Sequence, residues 1–232
     1  MSEPAHPGEL EKTDRHLPEG LWKQLRSDPA HAPQHLALAA VDRWGEQARD
    51  YAEGVRKRYP DATNRELAEV VKKRHVLLAR SEGAAAGVPA SFAPLFGAAV
   101  MMLPDVGALA WIQSRMVVHI AAVYGHDTSD REMAAELLVL QGIYTTTEAA
   151  RVALTEASKR VATRVVKRYL KDGTLLLLKR LFRVVGIKLT RVGVLKAVPF
   201  VAIPVGAVVN GLATGSLAKR AIKFYDLEPR AL

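Results

Sequence analysis

The chain has 232 residues, no cysteine and a formal net charge of +9. That length suits one sizeable domain, or a domain with a tail. The lack of cysteine excludes disulfides, a thiolate nucleophile and Cys-ligated zinc or clusters, and it fits a reducing compartment. Ala, Val and Leu dominate and aromatics make up only 6%, which favours helices over a β-sandwich. The charge is unevenly placed. Residues 1–82 balance, residues 83–150 are net acidic, and residues 151–232 hold 17 Lys/Arg against 4 Asp/Glu. A basic third joined to an uncharged stretch points to an anionic partner, either lipid headgroups or nucleic acid.

In chain order, residues 1–33 are rich in Pro, His and acid and read as a mobile polar tail with a short turn at GLWKQL. No apolar segment of the signal-peptide kind stands at the start. Pro33 suits the first turn of a helix over 34–59. Its face is Ala37, Val41, Trp44, Ala48, Tyr51 and Val55, and Tyr59-Pro60 stops it. Thr63 to Glu66 has the form of a capping box and opens a helix with Leu67, Val70, Val71, His75 and Leu78 on one face. That helix leads into twenty-two uncharged residues, 83–104, containing Pro89, Pro94 and Pro104. The prolines at 89 and 94 are expected to break the stretch near its middle.

Asp105 is placed to N-cap the next helix, through Leu109, Ile112, Met116, His119, Ile120 and Val123, which Gly125 closes. Ser129 to Glu132 is a second capping-box pattern before Met133, Leu137, Leu138 and Leu140. Two basic amphipathic helices follow. Arg160, Arg164, Lys167 and Lys171 share one stripe, and Lys179, Arg180 and Arg183 lie opposite an apolar face of Leu178, Leu181, Phe182, Val185, Leu189 and Val192. A second stretch of twenty-two uncharged residues, 197–218, then runs between Lys196 and Lys219. No segment sustains a period of two, so the fold class is all-α: a single multi-helix domain with a central small-residue (Ala/Gly/Pro-rich) hairpin core.

The segment HVLLARSEGAAAG (75–87), the Leu103-Pro104-Asp105 helix opening, IAAVYGHD (120–127) and VPFVAIPVGAVVNGLATGSLAKRAIKFY (198–225) together resemble the EcsC family. The resemblance covers residues 60–226, leaving 1–33 and the C-terminal tail 227–232 outside it. That family is mostly bacterial and named from a protein encoded beside an ABC transporter. The resemblance implies a helical, membrane-associated protein with membrane proteins such as transporters among its partners. It supplies no catalytic residues.

Phosphate-loop, dinucleotide, zinc-protease, serine-hydrolase and EF-hand patterns are all missing from the sequence, and no cofactor is expected. The polar candidates are His75, Glu82, Asp105, His119 and His126. His75–Glu82 and His119–His126 are each seven apart, two helical turns. Two histidines with two carboxylates could make a metal or acid–base site; the plainer reading is a capping Asp, a surface Glu and half-buried histidines. GAAAG (Gly83, Gly87) and GLATG (Gly211, Gly215) carry the spacing that lets helix backbones approach closely.

A helix of twenty-two residues reaches about 33 Å, enough for a bilayer. Yet both stretches are Ala/Gly-rich, and 197–218 has basic residues on both flanks, which a simple span would misplace. A buried core ranks first, surface or re-entrant insertion second and a true span last. The sequence therefore reads as a non-enzymatic, membrane-associated protein. It would lie at the inner face of the cell membrane, peripheral or partly inserted, with anionic lipids as its partner. The runner-up is a helical enzyme or small-ligand binder using His75, Glu82, Asp105 and His119. A nucleic-acid binder comes third, because the basic helices offer few stacking aromatics.

Overall fold

A computed structural model of the protein describes residues 17–90, 98–160 and 202–227. All secondary structure among the described residues is helical, so the fold is all-α. The order is α1 (Glu19–Ser27), a 3-10 turn (Pro29–His31), α2 (Ala32–Arg58), α3 (Asn64–Ala90), α4 (Ala98–Val123), α5 (Arg131–Leu140), α6 (Thr147–Arg160) and α7 (Ala202–Leu227).

The centre is α4. Residues 107–124 of this segment are buried with the single exception of the half-buried Arg115, and α2, α3, α5 and α7 all pack against it. A helix apolar on every side needs neighbours on every side to bury it. Trp111 of α4 meets Trp44 of α2 with ring centroids 4.0 Å apart. On α2, the predicted face is the observed one: Ala37, Val41, Trp44 and Ala48 are buried in the core, with Tyr51 and Val55 packed at its edge.

Caps fix the helix ends. At α3 the Thr63 backbone N–H donates to Glu66 Oε2 (2.8 Å) while the Glu66 N–H donates back to Thr63 Oγ1 (3.3 Å), a reciprocal capping box. Gly125, with φ of 82°, closes α4: the Gly125 N–H bonds Ala122 O (3.0 Å) and the His126 N–H bonds Ala121 O (3.1 Å). This paired pattern satisfies carbonyls that the last turn leaves open. Gly142, with φ of 72°, does the same for α5.

Four expectations are corrected. The N-cap of α5 is Asp130, whose carboxylate accepts from the Met133 N–H (3.0 Å); Ser129 instead donates to Asp127 (2.7 Å), and Glu132 is drawn off by the Arg151 guanidinium (2.5 and 2.6 Å). Asp105 is not an N-cap. Ala98–Leu103 are mostly good helix formers, so α4 begins seven residues before Asp105 and passes through Pro104. Pro89 does not end α3, which continues to Ala90; Pro94 lies outside the described residues. Finally, the tail expected over 1–33 does not extend to residue 33. Residues 19–31 form α1 and the 3-10 turn, because Leu21 and Leu25 repeat at i, i+4 and bury in the core.

Helix α6 has no counterpart in the sequence reading. Thr146 Oγ1 accepts from the Ala149 N–H (3.2 Å) at its start, and Ala150, Leu154 and Ala157 form its buried stripe.

The chain direction of α7 positions everything that follows. A Cβ added at Gly211 would meet Arg80, and one at Gly215 would meet Val76, so α7 runs antiparallel to α3. Gln113 donates to Thr214 (3.2 Å) and Tyr124 to Asp226 (3.2 Å), so α7 runs parallel to α4.

Candidate functional site

Two of the four residues of the predicted polar site come together. His75 of α3 and His119 of α4 are 2% and 3% exposed, with ring centroids 5.3 Å apart in an edge-to-face arrangement. His75 Nδ1 lies 2.9 Å from the Val71 carbonyl. A carbonyl only accepts, so Nδ1 carries the proton and Nε2 is left as a buried lone pair without a hydrogen-bond partner. His119 Nδ1 is likewise without one. Tyr51 of α2 stacks on His119, centroids 3.9 Å apart and rings tilted by 17°.

The surroundings are cationic. The Arg74 guanidinium lies 5.7 Å from the Tyr51 ring centre and that of Arg115 5.7 Å from the Trp44 ring centre. Burial pushes His75 down to about 3, with Arg115 and Arg74 lowering it further against the opposing Val71 hydrogen bond. Burial, then the neighbouring His75 and the two arginines, hold His119 well below the usual histidine value. Both rings are therefore neutral at physiological pH. A pair of neutral imidazoles walled by cations is a poor place for a metal ion, and no group of three or more metal-ligating side chains occurs among the described residues.

The other two candidates stand away from this pair. Glu82 lies seven residues along α3 from His75, about 10 Å, and Asp105 fourteen residues along α4 from His119, about 21 Å. Their side chains lie outside the described residues. His126 is carried off the helix by the Gly125 turn and meets the Tyr225 ring edge-on at 4.7 Å. Tyr51, Arg74 and Arg115 escaped the sequence reading as members of the cluster. Arg115 stands one turn before His119 and Arg74 beside His75, but only the pairing of α2, α3 and α4 brings them together.

Other buried polar groups tie helices to each other. Gln141 donates to Ser114 (3.1 Å), and the Tyr225 hydroxyl donates to Glu136 (2.8 Å). Burial first, then the Glu136 carboxylate, holds the Tyr225 phenol far above its usual range, so it stays protonated as a donor.

The second candidate is an outward face. On α7, Val208 and Leu212 are 56% and 66% exposed, followed by exposed Lys219, Arg220 and Lys223. On α3, Leu77 is 69% exposed between exposed Lys73 and Arg80. The two helices pack together along much of their length, so these residues border one surface. Gly211 and Gly215 face α3 across the contact; the surroundings of Gly83 and Gly87 lie outside the described residues. Of the predicted lipid-binding cations, Arg160 ends α6 with its side chain outside the described residues. Arg164, Lys167, Lys171, Lys179, Arg180 and Arg183 lie wholly outside them. No described helix is long and apolar enough to cross a membrane.

A family model described as the EcsC protein family matches residues 31–228. The match begins well before residue 60 and takes in α2, whose Trp44 packs against α4. No curated protein and no solved structure matches the chain.

Proposed function

Taking as premise that the chain belongs to the EcsC protein family, we propose that it is a non-enzymatic peripheral membrane protein that docks on anionic lipid. The observation carrying this reading is the outward stripe of α7. Exposed Val208 and Leu212 give way to Lys219, Arg220 and Lys223, and no acidic residue interrupts α7 before Asp226. Apolar side chains followed by cations match the order of acyl chains and phosphates in a bilayer. Solvation alone explains exposed lysines but not exposed Val and Leu beside them. Further support is the excess of Lys/Arg over residues 151–232, where Arg160, Arg164, Lys167, Lys171, Lys179, Arg180 and Arg183 add to the same sign of charge. The protein would lie at the cytoplasmic face of the cell membrane, beside membrane proteins such as transporters.

Each basic residue near an anionic surface contributes about 1 kcal/mol, and salt screens it. The test is co-sedimentation with vesicles. The parent chain should bind phosphatidylglycerol-containing vesicles at low salt, lose binding as salt rises and leave pure phosphatidylcholine largely unbound. The triple change Arg160→Glu, Arg164→Glu, Lys167→Glu should release it with its helicity unchanged. Failure to bind anionic vesicles at low salt sinks the proposal, and binding to duplex DNA instead would replace it with nucleic-acid recognition.

A further inference from the structure

Resting on that reading, we infer that the protein meets the bilayer with one particular end: the C-terminal end of α3 together with the N-terminal ends of α4 and α7. The sequence holds two uncharged stretches separated by more than ninety residues. The fold brings their described parts, 83–90, 98–104 and 202–218, to the same end. Because α7 runs antiparallel to α3 and parallel to α4, Ala90, Ala98 and Ala202 mark one end of this three-helix unit.

Along the unit from that end, the side chains change in order. The first turns of α7 and the last turns of α3 carry no charge in the sequence; Glu82 and Asp105, the nearest charges on α3 and α4, stand roughly 12 Å and 10 Å in from the helix ends. Next comes exposed Val208, then Arg80, level with Gly211, then exposed Leu212 and Leu77. The exposed cations Lys73, Lys219, Arg220 and Lys223 follow. Among the described residues of the unit, the acid–base pairs Lys72–Glu69 (2.6 Å) and Arg65–Asp226 (3.6 Å) stand toward the far end.

The spacing fits shallow insertion. Helix α7 extends about 9 Å beyond Val208 to Ala202, within the roughly 5–10 Å to which interfacial helices sink. Arg80, level with Gly211 and about 5 Å beyond Val208, then lies near the lipid phosphates, while Lys219, Arg220 and Lys223 stand roughly 17–23 Å beyond Val208 on the water side. A second copy of the chain would find the same band of like charge facing its own, which disfavours self-association through this face. A nucleic acid would leave the exposed Leu and Val without a partner.

The absence of native cysteine gives a clean test on the full-length chain. An environment-sensitive fluorophore on Leu212→Cys or Val208→Cys should shift to the blue when phosphatidylglycerol-containing vesicles are added. The same label on Val152→Cys, on α6, should not shift. The double change Val208→Asp, Leu212→Asp should weaken partitioning roughly tenfold or more while leaving the melting temperature unchanged. Vesicle binding with no shift at 208 or 212 overturns the inference and leaves the lipid-docking proposal standing; no vesicle binding at all overturns both. A label already blue without vesicles, or a double variant that melts early, means that the face is covered by another part of the chain or by a second copy, and the inference is wrong.

Discussion

The two ends of the α3–α4–α7 unit are built on different chemistry. At the far end, polar groups are closed by named partners: the Thr63–Glu66 box, Arg56 donating to the Val123 carbonyl (3.1 Å), Tyr124 to Asp226 (3.2 Å) and the Gly125 turn. At the near end the sequence supplies no charge and is about two-thirds Ala, Gly, Val and Pro, and the neighbouring surface exposes Leu77, Val208 and Leu212. Between them lies a buried interior in which His75 and His119, beside Arg74 and Arg115, are held neutral. An end that closes its own hydrogen bonds is finished structure. Leu227 is exposed at the far end too, beside Asp226, but Val208, Leu212 and Leu77 stand among cations, a surface shaped for something outside the molecule.

The contrast can be broken most forcefully from the interior. Trp111→Ala removes a buried ring packed against Trp44 at 45° and should cost about 3–5 kcal/mol in a denaturant titration; a loss below about 1 kcal/mol would mean that α4 is not the centre. Acid should act next. The folded state keeps His75 and His119 neutral while the unfolded chain takes up protons below about pH 6.5, so stability should fall as pH drops from there toward about 3, the value to which His75 is depressed. For His75 the loss is about 1.4 kcal/mol per pH unit, or about 2 kcal/mol at pH 5, and His119 adds to it in the same direction. His119→Phe should flatten the slope, and an unchanged slope would place the acid sensitivity elsewhere.

Gly45→Ala comes third. Its Cβ would overlap the Thr128 carbonyl oxygen and crowd the Ser129 backbone, where the Thr128 hydroxyl already donates to the Gly45 carbonyl at 2.6 Å. Backbone cannot swing aside, so the melting curve should report a loss of about 1–3 kcal/mol. Gly215→Ala should do the reverse. Its Cβ meets only Val76 at an ordinary 3.8 Å, and replacing Gly within a helix gains up to about 1 kcal/mol; destabilisation would show that GLATG needs closer approach than this contact implies. At Gly211 the obstacle is the exposed Arg80 side chain, which can move, so even a larger residue there should cost less than at Gly45. The smallest effect is expected at the outward face, where Leu212→Asp should change stability by less than about 0.5 kcal/mol. A larger loss would erase the distinction between the two ends.

Helix positions were readable wherever a local signal was strong. The 4-3-4-3-4 spacing from Ala37 to Val55, the Thr63–Glu66 box and the Gly125 stop all act within a few residues, so composition and spacing suffice to place them. Local rules misled where two nearby groups competed: Asp130 displaced Ser129 as a cap because Glu132 is held by Arg151, nineteen residues away in sequence. The polar site was half legible. Seven-residue spacing put His75 and Glu82 on similar faces, but a helix separates two turns by about 10 Å along its axis, and a histidine finds its neighbour across a helix pair rather than along one helix.

By itself, then, the sequence determined that the chain is helical, which faces of α2 and α3 are apolar, that its basic charge is concentrated in the last third, and that two long stretches carry no charge. Those properties follow from residue type and short-range geometry. Only the tertiary structure decided that His75 and His119 pack together in one buried, cationic surrounding, that residues 107–124 are buried on nearly every side, and that the described parts of the two uncharged stretches meet at one end. Each of those depends on helix direction, and direction is set by contacts such as Gly211 against Arg80 and Gln113 against Thr214, between residues more than one hundred positions apart, which no local period encodes.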